Sequence, residues 1–319
     1  MRLFVRLAIF ALAPLMAQAA AAQSYPSRAV QVIVPFSSGQ STDIIARAFV
    51  QVLSTELGQP FVVNDIPGAS GILAFNAAAH AAPDGYTLVM APQGQLTIQP
   101  HLKKKLEYKF DTFTPICQLF ENVFAITVKP GSPIRTFNDL VERARAKPGA
   151  MTWATSGIAT VSDLQMSDLI QKLGLKLVHV SYRNYGQMIQ DVIGGTVDFA
   201  VPSVGSFSPS SVQMVVLMAD KRMAQFPDLP TITESGYSIS LPGFGGLYTP
   251  AAAPKEVKDK LAAVCPKIFA SEQFQRVMKN TMQIPAYLPG AEFAKRLAQD
   301  SAQKAALIKT LGLDKQEMK

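Results

Sequence analysis

The chain has 319 residues, a formal net charge of +7, and a composition that is 48% hydrophobic and 17% charged. That balance excludes an intrinsically disordered chain, and the scattered basic residues give no field that argues for a nucleic-acid partner. The length is sufficient for two lobes, each with its own core.

Arg2 and Arg6 precede an apolar run from Leu7 to Met16 and a small-residue series from Ala17 to Gln23. This is the arrangement of a secretory signal peptide, with cleavage after Ala19 or Ala22. Its apolar core is too short to span a bilayer, and no later stretch is both apolar and long enough. Residues 1–22 are therefore left out of the fold, which lowers the charge to +5, and the mature chain is expected to be exported and to lie outside the membrane.

Val30 to Val34 reads as a strand, followed by the small-residue loop Pro35-Phe36-Ser37-Ser38-Gly39-Gln40. An amphipathic helix is expected over Thr42 to Leu57, with Ser41 or Thr42 as its N-cap. Backbone N–H groups at such a helix start, together with the positive end of its dipole, suit a carboxylate or phosphate. Asp43 either accepts a hydrogen bond from a ligand or supports the first turn electrostatically, and Arg47, at i+4, is expected to pair with it. Gly58-Gln59-Pro60 ends the helix, and Phe61 to Asn64 forms a second strand. The glycine-rich turn Pro67 to Gly71 opens a helix over Ile72 to Ala81, and Pro83-Asp84-Gly85 turns the chain into a third strand, Tyr86 to Met90. Lys103-Lys104-Lys105 has no aromatic interleaving and reads as a solvated turn.

The pattern restarts with a strand at Phe124 to Val128, a helix from the Thr136 cap to Ala146, and a strand at Met151 to Ala154. A second loop of small residues, Thr155-Ser156-Gly157-Ile158-Ala159-Thr160, precedes a helix over Val161 to Leu173. Strands at Leu177 to Tyr182, Val197 to Val201 and Val215 to Ala219, with a helix from about Gly186 to Ile193, complete this unit. Beyond Leu241-Pro242-Gly243-Phe244 come three helices, Lys255 to Ala270, Glu272 to Asn280 and Ala291 to Leu311, with no sheet of their own. They are expected to return to the first lobe. The alternation specifies an α/β fold with largely parallel sheets, residues 23–125 and 240–319 forming lobe 1, residues 126–239 an inserted lobe 2, and a ligand cleft between them. The two small-residue loops hold comparable strand-to-helix positions, so two helix dipoles are expected to converge on one anion. Asp163 reads as a first-turn helix residue, and Trp153 as core packing or a cleft wall.

Cys117 and Cys265 are far apart in sequence, each in an apolar context, and the sequence leaves open whether they pair. His80, His101 and His179 show no metal-ligand spacing, and there is neither a Walker A run nor a complete dinucleotide glycine fingerprint. Thr155-Ser156-Gly157 lacks the flanks of a nucleophile elbow. A binding protein without metal, cofactor or catalysis is thus expected, and a secreted hydrolase is its rival from another class.

Pro35-Phe36 with its following small residues, Gly39, Asp43 and Arg47, Gly58-Gln59-Pro60, Pro67-Gly68-Ala69-Ser70-Gly71 and Pro83-Asp84-Gly85-Tyr86-Thr87-Leu88 together resemble the Bug family. These are the extracytoplasmic solute receptors of tripartite tricarboxylate transporters. The likeness continues at Phe113-Thr114-Pro115-Ile116, His179-Val180-Ser181-Tyr182, Pro227-Asp228-Leu229-Pro230-Thr231, Glu234-Ser235-Gly236 and Pro242-Gly243-Phe244. It implies a type II periplasmic-binding-protein fold and a monomer that captures a small organic acid or related carbonyl compound for membrane transporter subunits. A receptor presenting its ligand to a sensor protein is the alternative. Mapped onto this chain, the resemblance places the ligand against Phe36, Ser37, Ser38, Gly39, Gln40, Ser41, Thr42 and Asp43. It adds Thr155, Ser156, Gly157, Ile158, Ala159 and Thr160, the lining Gln93, Gly94 and Gln95, then Tyr182 and the small residues after Val201. Gln40 and Ala159 stand where the family usually has glycine, Asp163 where it has histidine, and Ser181 where it has proline. A carboxylate at 163 facing the cleft would oppose an anionic ligand.

Overall fold

Residues 25–103, 105–182, 185–238 and 242–315 are described by the computed structural model, and the expected signal peptide lies outside the described residues. Strand β1 (Val30–Val34) runs into helix α1 (Ser41–Leu57), and β2 (Phe61–Asp65), α2 (Ile72–His80) and β3 (Thr87–Pro92) follow as expected. Two short helical turns, α3 (Gly94–Thr97) and α4 (Gln99–Leu102), lead to β4 (Phe113–Asn122), which continues past Val123 into β5 (Phe124–Val128). Then come α5 (Phe137–Ala146), β6 (Thr152–Thr155), α6 (Val161–Lys172), β7 (Val178–Ser181), α7 (Tyr185–Gly194), β8 (Phe199–Ala200) and β9 (Gln213–Met218). The chain returns through β10 (Gly243–Pro250), α8 (Lys255–Ala270), α9 (Glu272–Asn280), β11 (Ile284–Pro289) and α10 (Gly290–Thr310).

These strands form two sheets, ordered β11-β4-β10-β3-β1-β2 and β7-β6-β8-β5-β9. β1 pairs in parallel with β2 and β3, Val30 opposite Phe61 and Val32 opposite Leu88, so the loop after β1 emerges at the carboxyl edge of three parallel strands. The expectation of largely parallel sheets needs correction. β10 is antiparallel to β3 and β4, β11 to β4, and β5 to β8 and β9, because chain crossing between the sheets re-enters each from the opposite end.

β4, β10 and β11 were not expected as strands, and with them the C-terminal helices do accompany strands of the first sheet. β10 hides behind its glycines, although it is buried along its whole length. A Cβ at Gly246 would run into the Cys117 carbonyl, and one at Gly245 into the Phe120 ring. The absent side chains allow β3 and β4 to close on either side. The cysteine question is also settled, since Cys117 of β4 and Cys265 of α8 form a buried disulfide with Cα atoms 6.5 Å apart.

Apolar residues cover both faces of the first sheet: Phe49, Leu53, Leu261 and Phe274 on one, Phe75, Tyr248, Phe293 and Leu297 on the other. In the second lobe, Leu140, Trp153, Leu164 and Phe199 share a core with Ile98 and Leu102 of the α3–α4 segment and with Ile308 near the end of α10. Segments that sequence order assigns to the first lobe therefore pack into the core of the second.

Candidate ligand-binding cleft

Gln40, not Ser41 or Thr42, is the N-cap of α1, and its side chain makes no capping bond. The first-turn N–H groups thus have no partner within the helix. The turn is braced from behind instead. Gly39, at φ +84°, donates its N–H to Asp43 Oδ2 at 2.7 Å, and Asp43 Oδ1 lies 2.7 Å from Arg47 Nε, the expected i,i+4 pair. Arg47 also reaches Asp65 at 2.8 Å. Asp43 is 1% exposed, which fits support of the turn. Burial raises the Asp65 carboxyl above its ordinary range, and the charge of Asp43 adds to this against the pull of Arg47.

The second loop repeats the device with different residues. Ala159, at φ +60°, donates its N–H to Asp163 Oδ2 at 2.6 Å, and Thr160 caps α6 by accepting from the Asp163 N–H. The other Asp163 oxygen lies 3.7 Å from His179 Nδ1, whose ring stacks on Trp153 at 4.1 Å between centroids and shares a 2.9 Å hydrogen bond with Thr155 Oγ1. Asp163 is buried and turned into its own lobe, so it does not confront an anion in the cleft. Burial pushes Asp163 up and His179 down, each shift opposed by the charge of the other. Trp153 is buried and packs in the core.

Between the lobes lies a cavity of about 370 Å³. Ser37, Ser38, Gly39 and Gln40, with Asn280 and Met282, form its first-lobe wall; Tyr185, Gly186, Gly205, Ser206 and Phe207 face them from the second. The start of α1 lines this cavity, and Tyr185 and Gly186 of α7, not α6, face it from the second lobe. A helix terminus contributes at most about 2 kcal/mol to a partly buried anion, whereas micromolar binding needs about 8 kcal/mol. Direct hydrogen bonds must supply most of the affinity.

The residues Thr155 to Thr160 occupy a contact between lobes beside this cavity. Ser70 Oγ donates to the Ile158 carbonyl at 3.2 Å, Gln99 Nε2 to the Ala159 carbonyl at 3.3 Å, and Gln95 Nε2 to the Ser70 carbonyl at 3.1 Å. Ser156 reaches the cavity wall indirectly, through a 3.0 Å bond to the Tyr185 hydroxyl. Gln93 is fully buried, with its amide bonded to Pro242 O and Phe244 N, and Gly94 packs toward Ile98 and Val161. Tyr182 donates its hydroxyl to Asp191 at 2.6 Å; Phe36 is half-buried against the first core, and Ser41 and Thr42 are buried in the α1 turn. Sequence reasoning missed Tyr185, Gly186, Phe207, Asn280 and Met282. The small residues after Val201 did point to Gly205 and Ser206, while the left-handed Met282, at φ +50°, has no sequence signal.

Two α/β lobes around a polar cavity at a helix start define a periplasmic-binding-protein fold. Residues 45–313 match the family described as tripartite tricarboxylate transporter family receptor, and the chain belongs to that family. A UPF0065 protein of Bordetella bronchiseptica is 34% identical over 76% of this chain and 73% of its own. Among solved structures, the periplasmic binding protein BugD is 28% identical, with a TM-score of 0.82 over 91% of this chain and 99% of its own. MatC of Rhodopseudomonas palustris, with bound malate, is 25% identical, with a TM-score of 0.80 over 89% of this chain and 100% of its own.

Proposed function

We propose that the protein, exported by its N-terminal signal and acting as a monomer in the periplasm, captures a small organic-acid anion between lobes 23–125/240–319 and 126–239. It closes over the anion and delivers it to the membrane subunits of a tripartite tricarboxylate-type transporter, without chemical change to the ligand. The observation that carries this reading is the uncapped start of α1 opening into the cavity between lobes. Membership of the receptor family and the malate held by MatC support it. In this reading Ser37, Ser38, Gly39 and Gln40 touch the ligand. Phe36, Ser41, Thr42 and Asp43 shape that turn, while Gln93, Gly94, Gln95, Tyr182 and residues 155–160 hold the lobes around it.

Native mass spectrometry of protein taken gently from the periplasm tests the proposal, with a retained small carboxylate as the expected result. Turnover of added acids, or failure of any small carboxylate to bind the purified mature chain, would sink it.

A further inference from the structure

The carboxamides around the cleft divide into two groups. Gln93 is bonded to Pro242 and Phe244, Gln95 to Ser70, Gln99 to Ala159, and Gln118 to Ala286. On the cavity wall, by contrast, Ser37, Gln40, Ser206 and Asn280 make no side-chain hydrogen bond among the described residues. They come from three separate segments and from both lobes, yet face one space.

All four are hydroxyls or carboxamides, which donate and accept, while a carboxylate only accepts. An unsubstituted diacid would use the donor half of this wall and leave its oxygens facing nothing once the lobes exclude water. A ligand hydroxyl uses both halves. A site whose polar groups expect a hydroxyl discriminates strongly against the analogue lacking it, because the unpaired groups stay desolvated. Among the described residues, no lysine, arginine or histidine lines the cavity, so neutral groups dominate recognition.

Resting on the reading of the cavity as a carboxylate site, we propose that the preferred ligand is a polyhydroxylated carboxylate of the sugar-acid class. Its carboxylate lies at the start of α1, and its hydroxyls lie among Gln40, Asn280 and Ser206.

Calorimetric titration of the purified mature protein with four acids of equal carbon number separates the contributions. Gluconate has hydroxyls and one carboxylate, galactarate hydroxyls and two, hexanoate one carboxylate alone, and adipate two alone. Gluconate is expected to bind at least about tenfold tighter than hexanoate, and galactarate than adipate. Gln40→Met and Asn280→Leu should each weaken gluconate about tenfold, weaken adipate much less than gluconate, and leave the thermal unfolding of the empty protein where it was. Adipate or hexanoate binding as tightly as its hydroxylated counterpart, or variants weakening gluconate and adipate alike, would overturn the hydroxyl inference and leave the carboxylate reading standing. Binding of none of the four at millimolar concentration would overturn the sugar-acid inference, and the carboxylate reading falls with it only if shorter acids such as malate fail to bind as well.

Discussion

Ala159 does in the second loop what Gly39 does in the first, and it does so against its own preference. Both adopt a left-handed backbone and donate an N–H to an aspartate four residues on, but only Ala159 carries a Cβ there. A left-handed conformation costs an L-residue about 1–2 kcal/mol, of which glycine's greater unfolded-state entropy takes back part. Ala159→Gly should therefore raise unfolding stability by up to about 1 kcal/mol in urea titration; a loss of stability would show that the alanine methyl is needed for packing. The histidines give a second residue-scale test. Burial lowers His101 and His179 below the ordinary value of 6.5. The unfolded chain then takes up protons first as the pH falls. The stability these neutral rings contribute is complete above about 6.5 and is lost as the pH drops toward their folded values. Proton NMR should give both rings midpoints under 6.5, and His101→Gln should flatten the loss of stability on the acid side. A midpoint above 6.5 for either ring contradicts its burial.

At the scale of elements, α10 joins the lobes physically. Its first half packs Phe293 and Leu297 on the first sheet, while Ile308 enters the second-lobe core. Between them, Lys304 is fully buried, 2.5 Å from Asp300 and 3.3 Å from Thr97 Oγ1 of α3. Burial pulls the Lys304 ammonium down, and Asp300 opposes the shift. Removing one member of a buried pair strands the other charge, so Lys304→Met should cost about 3–5 kcal/mol, whereas a double variant with Asp300→Leu should recover much of it. Denaturant melts of both variants decide this; equal losses in the single and double variants would mean packing, not charge, governs the site.

For the whole molecule, the contact of Ser70 with Ile158 is a seam that must part if the lobes separate, whereas Gln99, on the segment packed into the second-lobe core, holds Ala159 from the same side. The seam hydrogen bond is worth about 1 kcal/mol, enough to change the balance of open and closed forms about fivefold. Small-angle scattering of ligand-free Ser70→Ala protein should show a larger radius than the parent chain. Superimposable curves would mean the seam does not hold the lobes. A closer limit is set at Gly205, where a Cβ would collide with the Thr281 carbonyl, so the lobes meet there backbone to backbone.

The sequence by itself determined the α/β class, the strand-to-helix corner at residues 30–57, the long helices of both lobes and the family. All of these rest on local periodicity, capping residues and short motifs, which need no distant partner to be legible. Only the tertiary structure decided that glycine-rich 243–250 is a central strand, that Cys117 meets Cys265, that the α3–α4 segment joins the second-lobe core, and that α7 rather than α6 faces α1 across the cavity. It also turned Asp163 away from the cleft. Each of these depends on which surfaces meet across long sequence separations, where packing overrides local preference.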